Sequence, residues 1–200
     1  IGALGNIILN FLLIPGMGGD PPTLDPAITQ DATSAEFIVE VYSGLLTIDR
    51  DLKIVPDLAE AMPTVSDDKK TYTFKLRADA KFHSGKAVTA DDVKYSLERT
   101  ADPKTQSPVA DTYLGDVVGV KDKLNGKATA VSGVKVIDSR TIQITIDAPK
   151  SYFLAKLTYP TAFVVDKANV ESGGRNWFLK PNGTGPFKLA KYDFGQQIVL

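Results

Sequence analysis

The sequence predicts a mixed α/β fold of the α+β kind, and three observations carry that expectation. Residues 71–77 alternate strictly, with Tyr72, Phe74 and Leu76 on one side and Thr71, Thr73, Lys75 and Arg77 on the other. This is the period of a half-buried strand. After a turn at His83-Ser84-Gly85-Lys86, Thr89 precedes Asp92 by three positions, and Val93 and Leu97 follow on one face. That is a capping box opening an amphipathic helix, which Asp102-Pro103 stops. Further on, Val134 and Val136, then Ile142, Ile144 and Ile146, alternate with polar residues around Asp138-Ser139, the pattern of a hairpin.

The remaining elements follow in chain order. Residues 1–14 are strongly apolar, and three readings stay open: a buried strand or short helix, the hydrophobic region of a secretory signal, or an interaction segment. Residues 18–26 are turn-rich, with adjacent prolines and a Leu24-Asp25-Pro26. A helix is expected from Thr33, with Glu36 completing a second capping box, Phe37 and Val41 on one face and Gly44 at its C-terminal cap. Residues 45–48 and 53–55 flank an Asp49-Arg50-Asp51 turn as a short hairpin. Residues 56–62 read as one or two helical turns, and residues 67–70 as a polar turn. Residues 114–120 read as a strand or short helix and residues 121–129 as a charged loop. A short helix is expected over 152–157, an apolar run over 162–165 and a loop over 176–181. The turn Gly183-Thr184-Gly185-Pro186-Phe187 leads into a strand, and another strand begins at Gln196.

Composition narrows the function classes. Two hundred residues make one large domain or two small ones. At 43% hydrophobic and 24% charged, the chain has ordinary globular composition. A net charge of −1 argues against a nucleic-acid partner, which calls for a basic surface. No apolar run reaches the length of a bilayer span. The absence of cysteine removes disulfides, thiolate metal sites and thiol nucleophiles. The lone His83 argues against a structural zinc site or a His-based triad and reads as a surface turn residue. No nucleophile–base pair or phosphate-binding glycine loop is visible, so no enzyme activity and no cofactor are expected.

The string L-R-x-D-A-K-F-x-x-G-x-x-V-T-A-D-D-V-x-Y-S-x-x-R, read over residues 76–99, resembles the signature of the family 5 extracytoplasmic solute-binding proteins of ABC transporters. The resemblance extends upstream to Leu24-Asp25-Pro26, Gly44-Leu45-Leu46 and Pro56-Asp57-Leu58-Ala59-Glu60. Downstream it takes in Asp102-Pro103, Ser107-Pro108, the Val134 and Ile142 strands and residues 183–187.

The resemblance implies the first lobe of a two-lobed, periplasmic-binding-protein type II-like fold with an inserted α+β subdomain, the second lobe lying outside this sequence. Residues 1–43 and 165–200 would form the lobe core, and residues 44–164 the inserted subdomain. It further implies an extracytoplasmic receptor that captures an oligopeptide, dipeptide or other small solute in an inter-lobe cleft and delivers it to the transmembrane subunits of an ABC permease. An alternative is a free-standing, lobe-like module that self-associates through unpaired edges. Ligand contacts carried over by resemblance fall on Gln30, Asp31 and Ala32, on Val109 after Ser107-Pro108, where oligopeptide binders place an aromatic, and on Tyr159 before Pro160. Asp20 is a further cleft candidate, equally a plain turn carboxylate. The signature is read as core and cap, with Lys81 and Arg99 at the surface or paired with carboxylates.

Overall fold

In the computed structural model, which describes residues 20–200, helix α1 (Ala32–Val41) leads into the hairpin β1 (Leu46–Ile48) and β2 (Ile54–Pro56). The short β3 (Thr64–Val65) follows, then β4 (Thr71–Lys75) and α2 (Ala90–Thr100). Two small helices, α3 (Ala110–Leu114) and α4 (Val120–Leu124), precede the hairpin β5 (Val134–Asp138) and β6 (Thr141–Thr145). The chain continues through α5 (Phe153–Lys156), a 3-10 turn at Pro160–Ala162, α6 (Lys167–Gly173), a further 3-10 stretch at Gly174–Leu179, and the hairpin β7 (Lys191–Asp193) and β8 (Gln197–Val199). The expectations for residues 1–14 and for Gly18-Gly19 lie outside the described residues.

The alternating strand and the isoleucine hairpin are partners. They form a four-stranded antiparallel sheet in the order β3-β4-β6-β5. Its register sets Tyr72 opposite Ile144 and Phe74 opposite Ile142, while Val134 and Val136 face the same isoleucines from the other side. Period two therefore delivers aromatic, isoleucine and valine side chains to a single face. Helix α2 covers that face with Val93 and Leu97, both buried. Fully burying a side chain such as Phe74, Ile142 or Ile144 stabilises by about 1.5–3 kcal/mol. The capping box forms as expected: Thr89 Oγ1 accepts from the Asp92 amide, and Asp92 Oδ2 accepts from the Thr89 amide at 2.9 Å.

Buried apolar residues fall into two clusters. One collects side chains between Leu45 and Val164, centred on the sheet and α2. The other joins Leu24, α1 residues Phe37, Ile38 and Val41, then Tyr42, Phe163, Val165, Trp177 and Ile198. The extended stretch 162–165 runs between them, with Ala162 and Val164 in the first cluster and Phe163 and Val165 in the second.

Several local expectations are corrected. The cap of α1 is Asp31, whose Oδ1 accepts from the Ser34 amide at 2.8 Å, not Thr33. Ser34 is buried and its hydroxyl accepts from the Thr23 amide, which fixes the helix start earlier. The C-terminal cap is Tyr42 rather than Gly44. Residues 57–60 are not helical. Their amides bond to Leu45, Gly44 and Lys75 carbonyls and so line the chain against β1 and β4. Residues 115–119 connect two helices, and 121–124 belong to α4 instead of a loop. Of residues 176–181, expected as loop, 176–179 belong to the 3-10 stretch Gly174–Leu179, and α6 was not anticipated: none of its residues is buried, so no apolar periodicity marks it.

Candidate functional site

Five of the six candidate ligand residues come from three segments, and α1, α3 and the 3-10 turn at Pro160–Ala162 bring those segments together. Asp31 sits half-exposed at the start of α1, flanked by exposed Gln30 and Ala32. One carboxylate oxygen caps the helix, and no basic side chain pairs with it among the described residues. Tyr159 is the residue before the 3-10 turn, in extended backbone conformation. Val109 occupies the N-terminal cap of α3, half-buried and offering no side-chain hydrogen bond.

An aromatic residue, Tyr113, lies one helical turn beyond Val109. The Tyr113 amide donates to the Val109 carbonyl at 3.1 Å, and its ring stacks on Tyr159 with centroids 3.7 Å apart and planes 5° off parallel. Burial raises the phenol pKa of Tyr159, and Tyr113 and the Asp31 carboxylate push it in the same direction. The Tyr159 phenol is thus held neutral at physiological pH, and the two rings together present hydroxyl groups and flat apolar faces near the Asp31 carboxylate. Tyr113 escaped the sequence reading because five helical residues are too few to show a period. Three buried hydroxyls without a protein partner lie in the same segments: Thr29, Ser107 and Thr161. Each neighbours a predicted contact by one or two positions, and each is chemically able to bond water or ligand.

Asp20 is placed differently. Its carboxylate accepts from the Gly195 amide in the β7–β8 turn, and the Tyr192 hydroxyl donates to the Pro21 carbonyl beside it. Its described contacts are those of a turn carboxylate tying residues 20–21 to the last hairpin. An open groove of about 720 Å³ lies between the end of α1, the β1–β2 hairpin and residues 184–186. Ser43, Asp57, Arg77 and Thr158 contribute to its lining, and none of the six predicted contact residues does.

Charged and polar contacts join the signature to flanking motifs. Arg99, the last signature residue, makes a two-pronged contact with Asp25 of Leu24-Asp25-Pro26. Trp177 Nε1 also donates to Asp25, and the guanidinium lies 5.2 Å from the Trp177 ring centre. Lys86 donates to both Asp92 and Asp166 at 2.9 Å. His83, expected at the surface, is half-buried: its Nε2 bonds the Gly185 carbonyl at 2.9 Å. No cluster of three or more His, Asp or Glu side chains suited to a metal ion occurs among the described residues. No helix among them is long and apolar enough to cross a membrane.

This is the fold of an extracellular solute-binding protein, and the chain belongs to family 5 of the bacterial extracellular solute-binding proteins, whose family model (its middle region) matches residues 53–200. Among curated relatives it is 35% identical over 193 residues to the periplasmic oligopeptide-binding protein OppA of Escherichia coli strain K12, covering 94% of this chain and 35% of that protein. It is 33% identical to the dipeptide-binding protein DppE of Bacillus subtilis strain 168, covering 90% of this chain and 34% of the relative. Among solved structures, the murein tripeptide binding protein MppA of Escherichia coli superposes with a TM-score of 0.85 at 33% identity, over 92% of this chain and 36% of that one. Listeria monocytogenes OppA bound to peptide gives 0.84 at 29% identity, over 90% and 36%. The chain spans about a third of the length of the curated relatives it matches.

Proposed function

We propose that the protein is the solute-binding receptor of an ABC import system, without enzymatic activity, acting on the extracytoplasmic side of the membrane and taking peptides. The observation that carries the reading is the convergence of the α1 start, the α3 start and Tyr159 on one edge, in a chain of this family. Relatives named as oligopeptide- and dipeptide-binding support peptide as the solute class. In this reading the edge is one wall of a cleft, and a second lobe supplies the other. A ligand closes the two around itself only through contacts to both. In this reading the solvent-facing segment Gln30, Asp31 and Ala32 meets the main chain of an extended peptide, a mode that grips the backbone whatever its side chains. Tyr159 and Tyr113 form a flat side wall, Val109 lies one helical turn before Tyr113, and Asp20 is a further cleft contact. Among the described residues, the two buried clusters support a division into a lobe core (the part up to residue 43 with residues 165–200) and an inserted subdomain (residues 44–164). A membrane permease is the receiving partner.

The test is calorimetric titration of tri- to pentapeptides into a protein of the relatives' length carrying this chain, with Y113A and Y159A beside it. Aromatic residues at the centre of an interface each contribute on the order of 1–2 kcal/mol, so affinity should fall about tenfold or more in each variant. Binding by the unsubstituted protein that neither variant weakens removes the aromatic wall. No binding of any peptide removes the receptor reading.

A further inference from the structure

The sequence's sole histidine holds two distant segments together. The loop over 80–88, which belongs with the sheet and its first buried cluster, meets residues 182–185, which pack against α1. At their junction the His83 amide donates to the Gly183 carbonyl at 2.8 Å, and the Ser84 amide donates to Asn182 Oδ1 at 2.8 Å. The imidazole adds a third bond, Nε2 to the Gly185 carbonyl at 2.9 Å. A carbonyl accepts only, so Nε2 carries the hydrogen and Nδ1 is the bare nitrogen of a neutral ring. Nδ1 is buried and has no partner.

We propose that His83 is a pH-sensitive latch between the 80–88 loop and residues 182–185, closed while the ring is neutral and loosened when the ring takes up a second proton. A proton on Nδ1 would create a buried donor facing no acceptor, and leaving such a donor unpaired is costly. The charged groups around the ring do not offset that cost. Lys188, on the segment from residue 183 onward that returns past the end of α1 (the return segment), repels an imidazolium. Lys86, on the same loop as His83, is a cation already engaged by Asp92 at the start of α2 and Asp166 at the start of α6, so both of those carboxylates are occupied. Burial holds the His83 pKa below its ordinary value, the Gly185 bond works in the opposite direction, and Lys188 adds to the lowering. A group depressed in this way stabilises the folded state fully above the unfolded value of about 6.5. That contribution is lost as pH falls from there toward the folded value, because the unfolded chain then binds more protons.

The experiment is amide hydrogen exchange, read as protection factors at His83 and Ser84, in the wild-type chain and in H83Q at pH 7.5 and 5.5, with an NMR titration of the wild-type ring alongside. Glutamine offers an amide donor to Gly185 and does not titrate. In the wild type, protection at these two amides should fall severalfold between pH 7.5 and 5.5, while amides of β4 and β6 hold theirs. H83Q should show no such local fall. K188Q, which leaves the histidine in place, removes a repelling charge, so the ring should titrate at a higher pH than in the wild type and the fall in protection between pH 7.5 and 5.5 should be smaller. Equal protection at both pH values in the wild type, the same fall in H83Q, or a ring that titrates at or above about 6.5 would overturn the latch. The NMR titration decides the matter even where H83Q does not fold.

Discussion

Arg99 shows how much of the structure a single residue can hold. Its side chain is 15% exposed and that of Asp25 6%, so removing one partner strands a charge that water reaches poorly. Arg99→Met is expected to destabilise the protein by about 3–5 kcal/mol, the usual cost of an orphaned buried ion. The Trp177 indole and the Ala27 amide would remain with the Asp25 carboxylate but supply no positive charge. Replacing both residues, R99M with D25L, should recover part of the loss, since an apolar pair leaves no unpaired ion. Urea unfolding of the two variants reads this directly, and a double variant no better than the single one would count against it. Legibility in the sequence follows the same logic. Arg99 could be expected near a carboxylate, but its partner lies 74 positions away, and no local pattern points to Asp25. In the candidate site, Asp31 and Tyr159 could be singled out only by resemblance. Their neighbour Tyr113 could not, because stacking is a property of the assembled elements.

Elements whose causes are local were legible, and those that depend on distant backbone were not. Helix α2 declares itself twice, through the Thr89–Asp92 cap and through Val93 and Leu97 at helical spacing. Strands β4, β5 and β6 do so through alternation. Helix α1 was anticipated, but with a cap two residues late, because Thr33 and Glu36 satisfy the same pattern that Asp31 and the buried Ser34 win in the folded chain. Residues 57–60 have helical composition, and backbone bonds to Leu45, Gly44 and Lys75 hold them extended instead. The weight of the α2 cap can be measured. Thr89→Ala removes the acceptor of the Asp92 amide and the hydroxyl that donates to Asp92 Oδ2 at 2.8 Å. A loss of about 1 kcal/mol is expected, seen as a lower urea midpoint at unchanged slope. An unaltered midpoint would mean that the packing of Val93 and Leu97 alone fixes the helix.

At the scale of the whole molecule, the return segment must come close to α1 for the two buried clusters to share one chain. The Thr184 and Gly185 amides both donate to the Val41 carbonyl, at 3.1 and 2.9 Å, and the Ser43 amide donates to Thr184 Oγ1 at 2.9 Å. A Cβ on Gly185 would sit 2.5 Å from the Glu40 carbonyl oxygen, and one on Gly183 would run into the Val41 carbonyl. Both obstacles are helix backbone, which cannot turn aside as a flexible side chain would. Gly185→Ala is therefore expected to cost about 1–3 kcal/mol or more, the range of an overpacked site without room to relax. Gly85→Ala separates this steric cost from a conformational one. Gly85 has φ of 89° and nothing within 4 Å of an added Cβ, so its substitution bears only left-handed strain of about 1–2 kcal/mol. The two variants should also differ in where they loosen the chain. Gly185→Ala should lower hydrogen-exchange protection at Thr184 and Phe187, whose amides bond the end of α1, while Gly85→Ala should leave those amides protected. If Gly185→Ala behaves like Gly85→Ala on both counts, the close passage of the return segment beneath α1 is not what joins the clusters.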